Sequence, residues 1–275
     1  MPINYAEKYS QKIDERFKIG AVTSSAINND YEFLGVKTVK VYSVPTAAMN
    51  DYSRTGANRY GTPEELENSL QELTLSRDRS FTFTIDRGNF DDTMMANSAG
   101  AALQRQLDEV VIPEIDIYRL SVMCAKAGTT SDATAITKEN AYESFLDGTV
   151  ALTNNKVPIG GRVAYVSPKY YKMIKLDESF IKNGDLAQNM LLNGQIGMID
   201  KIPLILVPES YLPNGVEFII TNPIATVAPV KLSEYKIHDN PPGINGWLVE
   251  GRVYYDAFVL ENKAKSIYVH TSSAI

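Results

Sequence analysis

The chain has few side chains that could carry out chemistry, and they lie far apart in the sequence. Only two histidines occur among its 275 residues, His238 and His270, and both fall near the ends of predicted strands. His238 precedes Asp239, and such a pair could provide the base and the orienting acid of a hydrolytic triad. The sequence has no Gly-x-Ser-x-Gly motif to supply the nucleophile. We therefore expect both histidines to be structural and the protein not to be an enzyme.

Metal and cofactor chemistry is equally poorly supported. The sequence contains no His-x-x-x-His or Cys-x-x-Cys spacing, and the pair Asp91-Asp92 is explained more simply as a helix cap. Neither nucleotide-binding glycine motif is present, and Gly160-Gly161 predicts a turn. The single cysteine, Cys124, lies in an apolar run, which favours a buried small hydrophobe over a reactive thiol. We predict no catalytic residue, no cofactor and no metal.

The composition is that of an ordinary globular protein, with 44% apolar and 22% charged residues. The net charge of −6 argues against overall attraction to nucleic acid, and the sequence shows no basic tail or patch. The N-terminus lacks an apolar signal core, and runs such as 202–207 are too short to span a bilayer. One cysteine allows no intrachain disulfide, which fits synthesis in a reducing cytoplasm.

The N-terminal third consists of long elements that could not form a core alone. A short helix is predicted over 5–18 and a linker or arm over 20–34. Residues 35–50 and 73–90 predict two extended strands, and the connection 51–72 between them is polar. Together they predict a long two-stranded projection. Because such a ribbon is marginal in water unless a partner covers it, the pattern indicates a subunit that folds against its neighbours.

A long helix is predicted to follow, over 94–127. At a rise of 1.5 Å per residue it would span roughly 50 Å. Pro113 removes a backbone donor near its middle and predicts a kink. Gly128 ends it, and its start could be capped by Asp91, Asp92 or Thr93. The predicted apolar stripe comprises Ala99, Leu103, Leu107, Val110, Val111, Ile115, Tyr118 and Val122.

From Thr137 onward the pattern changes to a compact alternation of helices and strands. Helices are predicted over 138–154, 168–176 and 185–192, with a shorter helical segment over 222–228. The first of these helices is expected to bury Ala141, Phe145, Val150 and Leu152. Strands are predicted over 161–166, 203–207, 216–221, 247–260 and 265–270.

Two residue types suggest contacts between subunits. Tyrosine is frequent, with 16 copies, and is enriched at protein interfaces, although packing within the chain is the alternative. Arginines of the predicted projection would pair with carboxylates of a neighbour, unless they only solubilise an exposed ribbon. The candidate inter-subunit contacts are Arg54, Arg59, Arg77, Arg79, Arg87, Tyr52 and Tyr60.

Three stretches and the order of the elements together carry a family resemblance. They are 162–168 (RVAYVSP), 193–208 (NGQIGMIDKIPLILVP) and 251–260 (GRVYYDAFVL), the last followed by Lys263 and Ile267-Tyr268. With the arm, the two-stranded loop and the long helix, the whole chain resembles the major capsid protein of tailed bacteriophages. That family has the Hong Kong phage-type fold, so the resemblance implies the α+β class.

The resemblance also implies a domain plan and a function. The plan is an N-terminal arm at 1–34, an extended loop at 35–93, a peripheral domain with the spine helix at 94–137, an α/β axial domain at 138–229, and a return into the peripheral domain at 230–275. Copies of the chain would form pentamers and hexamers of an icosahedral or prolate head. That shell would enclose double-stranded DNA without sequence-specific binding. Gly56, Gly61 and Pro113 are candidate flex points for fitting both rings.

Departures from the family and rival families sharpen these expectations. Because no lysine occurs between Lys40 and Lys126, the loop tip has none for a covalent cross-link, and we predict a non-covalent shell. Only some thirty residues precede the loop, so a scaffolding protein would be separate; portal and decoration proteins are further expected partners. The resemblance places the protein in the virion, after assembly in the host cytoplasm and without a membrane. The alternatives are an encapsulin-like nanocompartment shell enclosing cargo proteins, a hydrolase using His238, and a tail protein.

Overall fold

The structure is a computed structural model that describes residues 22–28, 31, 37–43, 46–63, 65, 69–88, 98–131, 133–178 and 197–272. The chain divides into two compact units. The small unit is Phe33–Leu75, and the main unit comprises Met1–Glu32 and Ser76–Ile275. The helices predicted over 5–18 and 185–192, and the caps predicted at 91–93, lie outside the described residues.

Four α-helices and thirteen strands are described. The helices are α1 (Ser98–Gln106), α2 (Ile112–Ala125), α3 (Ala141–Asn154) and α4 (Pro168–Leu176). The strands are β1 (Thr38–Ser43), β2 (Ser69–Thr74), β3 (Arg77–Asp86), β4 (Thr129–Thr130), β5 (Val163–Val166), β6 (Met198–Ile199), β7 (Ile202–Leu206), β8 (Val216–Thr221), β9 (Thr226–Val227), β10 (Val230–Asp239), β11 (Gly246–Tyr255), β12 (Phe258–Val259) and β13 (Ile267–Thr271). Short 3₁₀ turns are formed by Val22–Ala26, Glu209–Tyr211, Pro223–Ala225 and Glu261–Ser266.

A six-stranded mixed sheet forms the centre of the main unit, with the order β4-β13-β8-β5-β7-β6. Strand β8 runs antiparallel to both β5 and β13, whereas β5 pairs with β7 in parallel. Every residue of β5, β8 and β13 is buried. Strands buried on both faces require helices or turns above and below them, and the apolar runs of these segments meet that requirement.

Two apolar clusters cover the two faces of this sheet. On one face, helices α3 and α4 contribute Phe145, Leu152 and Tyr170, which pack against Phe218 and Ile220 of β8. On the other face, the cluster joins residues of α2 and of the first 3₁₀ turn to the sheet: Leu120, Met123, Cys124 and Ala26 with Tyr165, Ile219 and Val269. The long helix is therefore part of the cover of the central sheet.

A second, three-stranded antiparallel sheet has the order β10-β11-β3. Its inner face packs against the long helix, where Leu103, Leu107, Ile112 and Ile115 meet a set of sheet residues comprising Tyr235, Val249, Val253 and Tyr255. The alternating exposure of β3 follows from this arrangement, because successive side chains of a strand point to opposite faces.

The long helix consists of α1, a π turn at Leu107–Val111, and α2. Dihedral angles at Gln106, Val111 and Ile112 stay in the right-handed helical region, so the helix is continuous. Pro113 lies in the first turn of α2, and the widened turn before it provides a place where a missing N–H is tolerated. The disturbance predicted at Pro113 thus takes the form of a π turn.

The π turn also corrects the predicted apolar stripe at one position. Leu107 and Ile112 are both buried in the same cluster although they are five residues apart, the spacing of a π turn. Val110, which fits a regular α-helical stripe, is instead 45% exposed. The prediction for Val110 was wrong because it assumed 3.6 residues per turn throughout.

Other sequence predictions are corrected as well. The predicted ribbon of 35–50 with 73–90 is wrong in its second strand, because β1 pairs with β2 while β3 pairs with β11. Strand β10 was not among the predicted strands. The helical segment predicted over 222–228 is helical only over Pro223–Ala225 and then continues as β9. In α3, Val150 faces solvent and is 56% exposed.

Candidate assembly surfaces

The small unit is built on the antiparallel pair β1 and β2, with a register that runs from Thr38 opposite Thr74 to Ser43 opposite Ser69. The side-chain hydroxyls of Thr38 and Thr74 lie 2.9 Å apart. Lys40 Nζ lies 2.9 Å from Glu72 Oε1, and this hydrogen bond raises the pKa of Lys40. Both groups are exposed, and such surface contacts add little stability. Two strands with so few buried side chains are marginal in water on their own.

The connection between β1 and β2 contains a hydrogen-bonded loop at its centre. Ser53 N donates to Arg59 O at 3.0 Å, and Gly61 N donates to Asn58 O at 2.9 Å. Gly56 and Gly61 have φ angles of +87° and +94°, which side chains disfavour. A Cβ at Gly61 would also clash with the side chain of Asn50. These glycines are therefore required by the loop conformation, and their role as flex points stays a prediction.

Exposed apolar side chains are concentrated in the small unit. Of the twelve large hydrophobic residues exposed in the described part of the chain, five belong to it: Tyr42, Met49, Tyr52, Tyr60 and Leu70. Tyr60 is 84% exposed, and Met49 is 98% exposed. The rings of Tyr52 and Tyr60 contact each other edge to face with centroids 5.1 Å apart. We call these two tyrosines the tyrosine pair. Exposed apolar groups at this density are typical of a surface that another protein covers.

Two of the candidate arginines lie in the same loop. Arg54 and Arg59 are both exposed, and Arg59 Nε donates to Gly56 O at 3.3 Å. Within the described part of the chain, neither guanidinium forms an ion pair with a carboxylate. Both therefore remain available for a carboxylate of another molecule.

The other three candidate arginines belong to the main unit and have carboxylate partners in their own chain. Arg77 Nη2 lies 3.2 Å and Arg79 Nε 2.8 Å from the same atom, Glu114 Oε1. Arg77 also lies over the ring of Tyr118, 4.2 Å from its centroid. Arg79 is the more exposed of the two, with 60% of its side chain accessible.

Arg87 lies 3.4 Å from Asp239 Oδ1 and 5.4 Å from the ring centroid of Trp247. The prediction that it and the other main-unit arginines belong to the two-stranded loop was wrong, because β3 is a strand of the main unit. Their contact with a second copy stays a prediction.

The buried carboxylate of Asp256 holds Ser76, the residue at which the main unit resumes after the small unit. Asp256 is 3% exposed and accepts hydrogen bonds from Ser76 N at 2.7 Å and Ser76 Oγ at 2.8 Å. Its other oxygen accepts from Tyr118 Oη at 2.7 Å and from Ala257 N at 2.8 Å. Burial and the Asp256 hydrogen bond raise the pKa of Tyr118. The sequence offers no distinct signal for this site, because Asp256 is one of three charged residues in the predicted strand 247–260 and its partners lie far away in the chain.

A second buried polar network holds the segment 22–28. Asp116 accepts from Val22 N at 3.1 Å and from Thr23 Oγ1 at 2.6 Å. Arg119 Nη1 donates to Thr23 Oγ1 at 3.1 Å, and Tyr165 Oη donates to Val22 O at 3.2 Å. Burial raises the pKa of Asp116 and lowers that of Arg119. The segment is thus fastened to α2 by buried polar contacts, which the sequence did not predict.

The histidines occupy positions that do not assemble a triad. His238 Nε2 lies 3.3 Å from Glu250 Oε2, whereas Asp239 pairs with Arg87. His270 is buried, stacks on Phe218 with centroids 5.0 Å apart, and places Nε2 3.1 Å from Thr134 O. Burial lowers the pKa of His270. The two histidines therefore have separate surroundings.

The Cys124 thiol is buried, and burial raises its pKa to about 12. The structure thus supports the small-hydrophobe interpretation. The described residues include no group of three or more His, Cys, Asp or Glu side chains that could hold a metal ion. No helix in the described ranges has the length and apolarity needed to cross a membrane.

Comparison with known proteins identifies a matching family and matching folds. The family model described as phage capsid protein matches residues 72–269, more than half of the chain. A search of curated proteins finds no match.

Solved structures match over nearly the whole chain at low sequence identity. A structure of Mycobacterium phage Che8 is 16% identical, with a TM-score of 0.68, covering 93% of this chain and 92% of the other. The capsid of cyanophage P-SCSP1u is 11% identical, with a TM-score of 0.68 and coverages of 88% and 85%. A virus-like particle from Pyrococcus furiosus is 12% identical, with a TM-score of 0.59 and coverages of 98% and 100%. These likenesses confirm the predicted α+β fold class.

Proposed function

The chain belongs to the phage capsid protein family and is a major capsid protein, and on that premise we propose that its copies associate into pentamers and hexamers that close into a head shell. The shell is icosahedral or prolate and encloses double-stranded DNA. The match of the family model over residues 72–269 carries this proposal, and the mixed helix-and-sheet fold supports it. Closed rings of identical subunits need a surface on each subunit that is complementary to another surface of the next.

The small unit supplies one of these surfaces. The tyrosine pair, Met49, and the cross-strand pair of Tyr42 and Leu70 expose apolar area that a neighbouring subunit would cover. Burying a large side chain stabilises by about 1.5–3 kcal/mol. Each contact is modest, but a ring repeats it at every subunit and strengthens the assembly by multiplicity.

The five candidate arginines differ in how much they contribute to contacts between subunits. Arg54 and Arg59 pair with carboxylates of the neighbour, because they are exposed and lie beside the tyrosine pair in the sequence. Arg79 offers its exposed guanidinium nitrogens while Nε holds Glu114. Arg77 and Arg87 act mainly within the chain, because aromatic rings and a carboxylate already surround them.

Two rings of different size require the subunit to adjust. Gly56 and Gly61 allow the loop to turn because they hold positive φ angles. Pro113 and the π turn before it form a weak point in the helix ladder, and π turns are often found at functional positions. These three residues are the proposed flex points.

The shell is held by non-covalent contacts. No lysine occurs between Lys40 and Lys126, so the small unit beyond β1 has no amine for an isopeptide bond. Subunits from dissolved shells should therefore migrate as single chains in denaturing gels.

Portal, decoration and separate scaffolding proteins are the expected partners in the infected cell. Assembly takes place in the host cytoplasm, and the assembled protein is then part of the virion. Its role is structural rather than enzymatic.

The decisive experiment is to express the chain and observe its assembly by light scattering and negative-stain microscopy, with and without the phage's scaffolding protein. Closed shells or rings of five and six are expected. The variant Tyr52→Ser/Tyr60→Ser should remain folded yet assemble poorly, because it removes both rings of the tyrosine pair. The matched variant Tyr52→Phe/Tyr60→Phe keeps the rings and should assemble. A wild-type chain that stays monomeric under every assembling condition would refute the proposal.

A second candidate is a nanocompartment shell that encloses cargo proteins. The observation in its favour is the likeness to the virus-like particle from Pyrococcus furiosus, which covers 98% of this chain. The family match favours the phage head. The contents distinguish the two, because particles from the native source should contain double-stranded DNA if they are heads and protein if they are compartments.

A further inference from the structure

Three helical segments of the main unit end at the same place and bring four lysines together. Helix α2 ends at Ala125, and the chain then reaches Gly128, whose N–H donates to Ala264 O at 2.9 Å. The approach is close, since a Cβ at Gly128 would lie 2.5 Å from the backbone nitrogen of Lys265. The end of α2 therefore lies against the 3₁₀ turn Glu261–Ser266.

The end of α3 reaches the same place. Asn155, the residue after α3, donates from Nδ2 to Thr129 Oγ1 at 3.0 Å. Lys156 follows directly, with a φ angle of +60°. The lysines gathered in this way are Lys126, Lys156, Lys263 and Lys265, which we call the lysine surface.

These lysines have few negative charges to balance them. Lys126, Lys156 and Lys265 are exposed, and Lys263 is partly exposed. Among the described residues, none of the four forms an ion pair. Elsewhere, Lys40 and Lys169 each lie about 3 Å from a glutamate. The acidic side chain within the same 3₁₀ turn is Glu261.

The negative ends of the helix dipoles offset only part of the positive charge of the four lysines. A helix C-terminus carries roughly half a negative charge, so the ends of α2 and α3 together offset about one lysine. Glu261 offsets one more. Within the described part of this surface, an excess of about two positive charges is left over, on a chain whose net charge is −6. Stabilisation of helix ends is therefore not a sufficient reason for four lysines here.

Hydroxyl groups border the lysine surface at the edge of the central sheet. Strand β4 follows Gly128 directly and pairs in parallel with β13, with Thr129 opposite Tyr268. Thr130 is exposed, and a threonine hydroxyl can donate to a phosphate oxygen. The next acidic residue along the chain, Asp132, lies outside the described residues. The lysine surface is thus a localised positive area with hydroxyl donors beside it.

We propose that the lysine surface binds the phosphate backbone of the enclosed DNA without reading its sequence. The inference rests on the proposed function, because only a genome-enclosing shell presents concentrated duplex to its subunits. Lysine provides a flexible point charge that suits phosphates at varying positions, and nothing in the surface resembles a fork for reading base edges. Sequence patterns alone do not indicate this surface, since residues 126, 156, 263 and 265 meet only in the folded chain.

The test uses the full chain, kept dilute so that it stays unassembled, and titrates it with a fluorescein-labelled 20-base-pair duplex. Four phosphate contacts predict a slope of about −3.6 for the logarithm of affinity against the logarithm of salt. The affinity should therefore fall about 150-fold between 50 and 200 mM salt. The variant Lys126→Gln/Lys156→Gln/Lys263→Gln/Lys265→Gln should lose at least tenfold in affinity at 50 mM salt. The control Lys138→Gln/Lys172→Gln/Lys175→Gln/Lys236→Gln removes the same charge elsewhere and should bind as the wild type does.

Several results would overturn the inference. They are no duplex binding at 50 mM salt, equal loss in both quadruple variants, or tighter binding of polyglutamate than of duplex, which would assign the surface to an acidic polypeptide. Microscopy of the same wild-type preparation under assembling conditions tests the proposed function separately. Shells that form while duplex binding ignores the four lysines would overturn this inference alone, whereas failure to form shells would refute the proposed function.

Discussion

Replacing Asp256 with alanine should destabilise the main unit strongly. The buried carboxylate accepts four hydrogen bonds, two of them from Ser76 and one from Tyr118 of the long helix. Residue 76 is where the main unit resumes after the small unit. Alanine leaves the backbone N–H of Ser76 and the hydroxyl of Tyr118 without their acceptor.

The expected loss can be worked out from these contacts. A hydrogen bond to a charged group contributes about 1.5–3 kcal/mol. Ser76 and Tyr118 are only partly buried, so water replaces part of what each loses. We expect Asp256→Ala to lower the free energy of unfolding by about 3–4 kcal/mol. Tyr118→Phe removes one of the four bonds and should cost about 1–1.5 kcal/mol.

Urea unfolding of the dilute subunit measures both values. The single tryptophan, Trp247, lies on β11, the neighbour of β3 in the three-stranded sheet, and reports the unfolding transition by its fluorescence. A double-mutant cycle isolates the contact, because Tyr118→Phe should cost about 1 kcal/mol less in the Asp256→Ala background. Asp256→Asn is the isosteric comparison: it keeps the shape and one acceptor oxygen, but its NH2 group would face two of the four donors, so it should recover only part of the loss.

Two results would refute this reasoning. If Asp256→Ala cost less than about 1 kcal/mol, the carboxylate would not be holding the start of β3. If the effects of Asp256→Ala and Tyr118→Phe simply added, the hydrogen bond between them would contribute nothing, and the loss would come from elsewhere in the site.

Further predictions concern four other positions. Arg162→Ala should lower the free energy of unfolding in urea by about 3 kcal/mol. The reason is that the buried guanidinium donates to the carbonyls of Pro158, Thr149 and Val157. Arg162→Lys should recover less than half of this loss. Burial lowers the pKa of His270, so the folded state binds a proton at this side chain less readily than the unfolded chain does. The contribution of neutral His270 to the free energy of unfolding should be full above about pH 6.5 and should fall below it. His270→Gln should flatten this pH dependence when unfolding curves at pH 7 and 5 are compared. Gly246→Ala should lower the thermal midpoint sharply, because φ is +146° and its Cβ would lie against Ile85 O, whereas Gly160→Ala meets nothing within 4 Å and should leave it unchanged. Because burial raises the pKa of the Cys124 thiol to about 12, it should react with a disulfide reagent only after unfolding, and rapid labelling of the native chain would contradict this.

Sequence patterns sufficed where burial was uniform or strictly periodic. Helix α4 was predicted from Pro168 to Leu176 with the bounds that the structure has, because Ser167 caps it and proline suits its first turn. Strand β8 was predicted with its observed bounds as well, since an apolar run of six residues between turns favours a buried strand. The order of the elements then sufficed to indicate the capsid fold.

Contacts between distant residues could not be predicted in the same way. Strand β3 has a clear alternation, but nothing in it indicates that its partner is β11 rather than β1. Asp256 and Ser76 are 180 residues apart, and the lysine surface joins segments separated by more than a hundred residues. Periodicity describes which face a residue points to, whereas pairing depends on the tertiary arrangement.

The π turn has a consequence for how the length of this segment can vary. An extra residue in a regular α-helix shifts every later side chain by about 100° around the axis, whereas a π turn takes up the extra residue in one wider turn. Leu107 is the first residue of the turn, and Leu120, Met123 and Cys124 lie after it against the central sheet. A relative lacking one residue between 107 and 112 would have the counterparts of Leu107 and Ile112 four residues apart, the spacing of one α-helical turn, so the later apolar face would stay against the sheet. Related chains should therefore tolerate the loss of one residue within this turn, because the turn can close to a regular α-helix, whereas the loss of one residue within α2 would rotate the residues before it out of register with the apolar face that packs on the sheet.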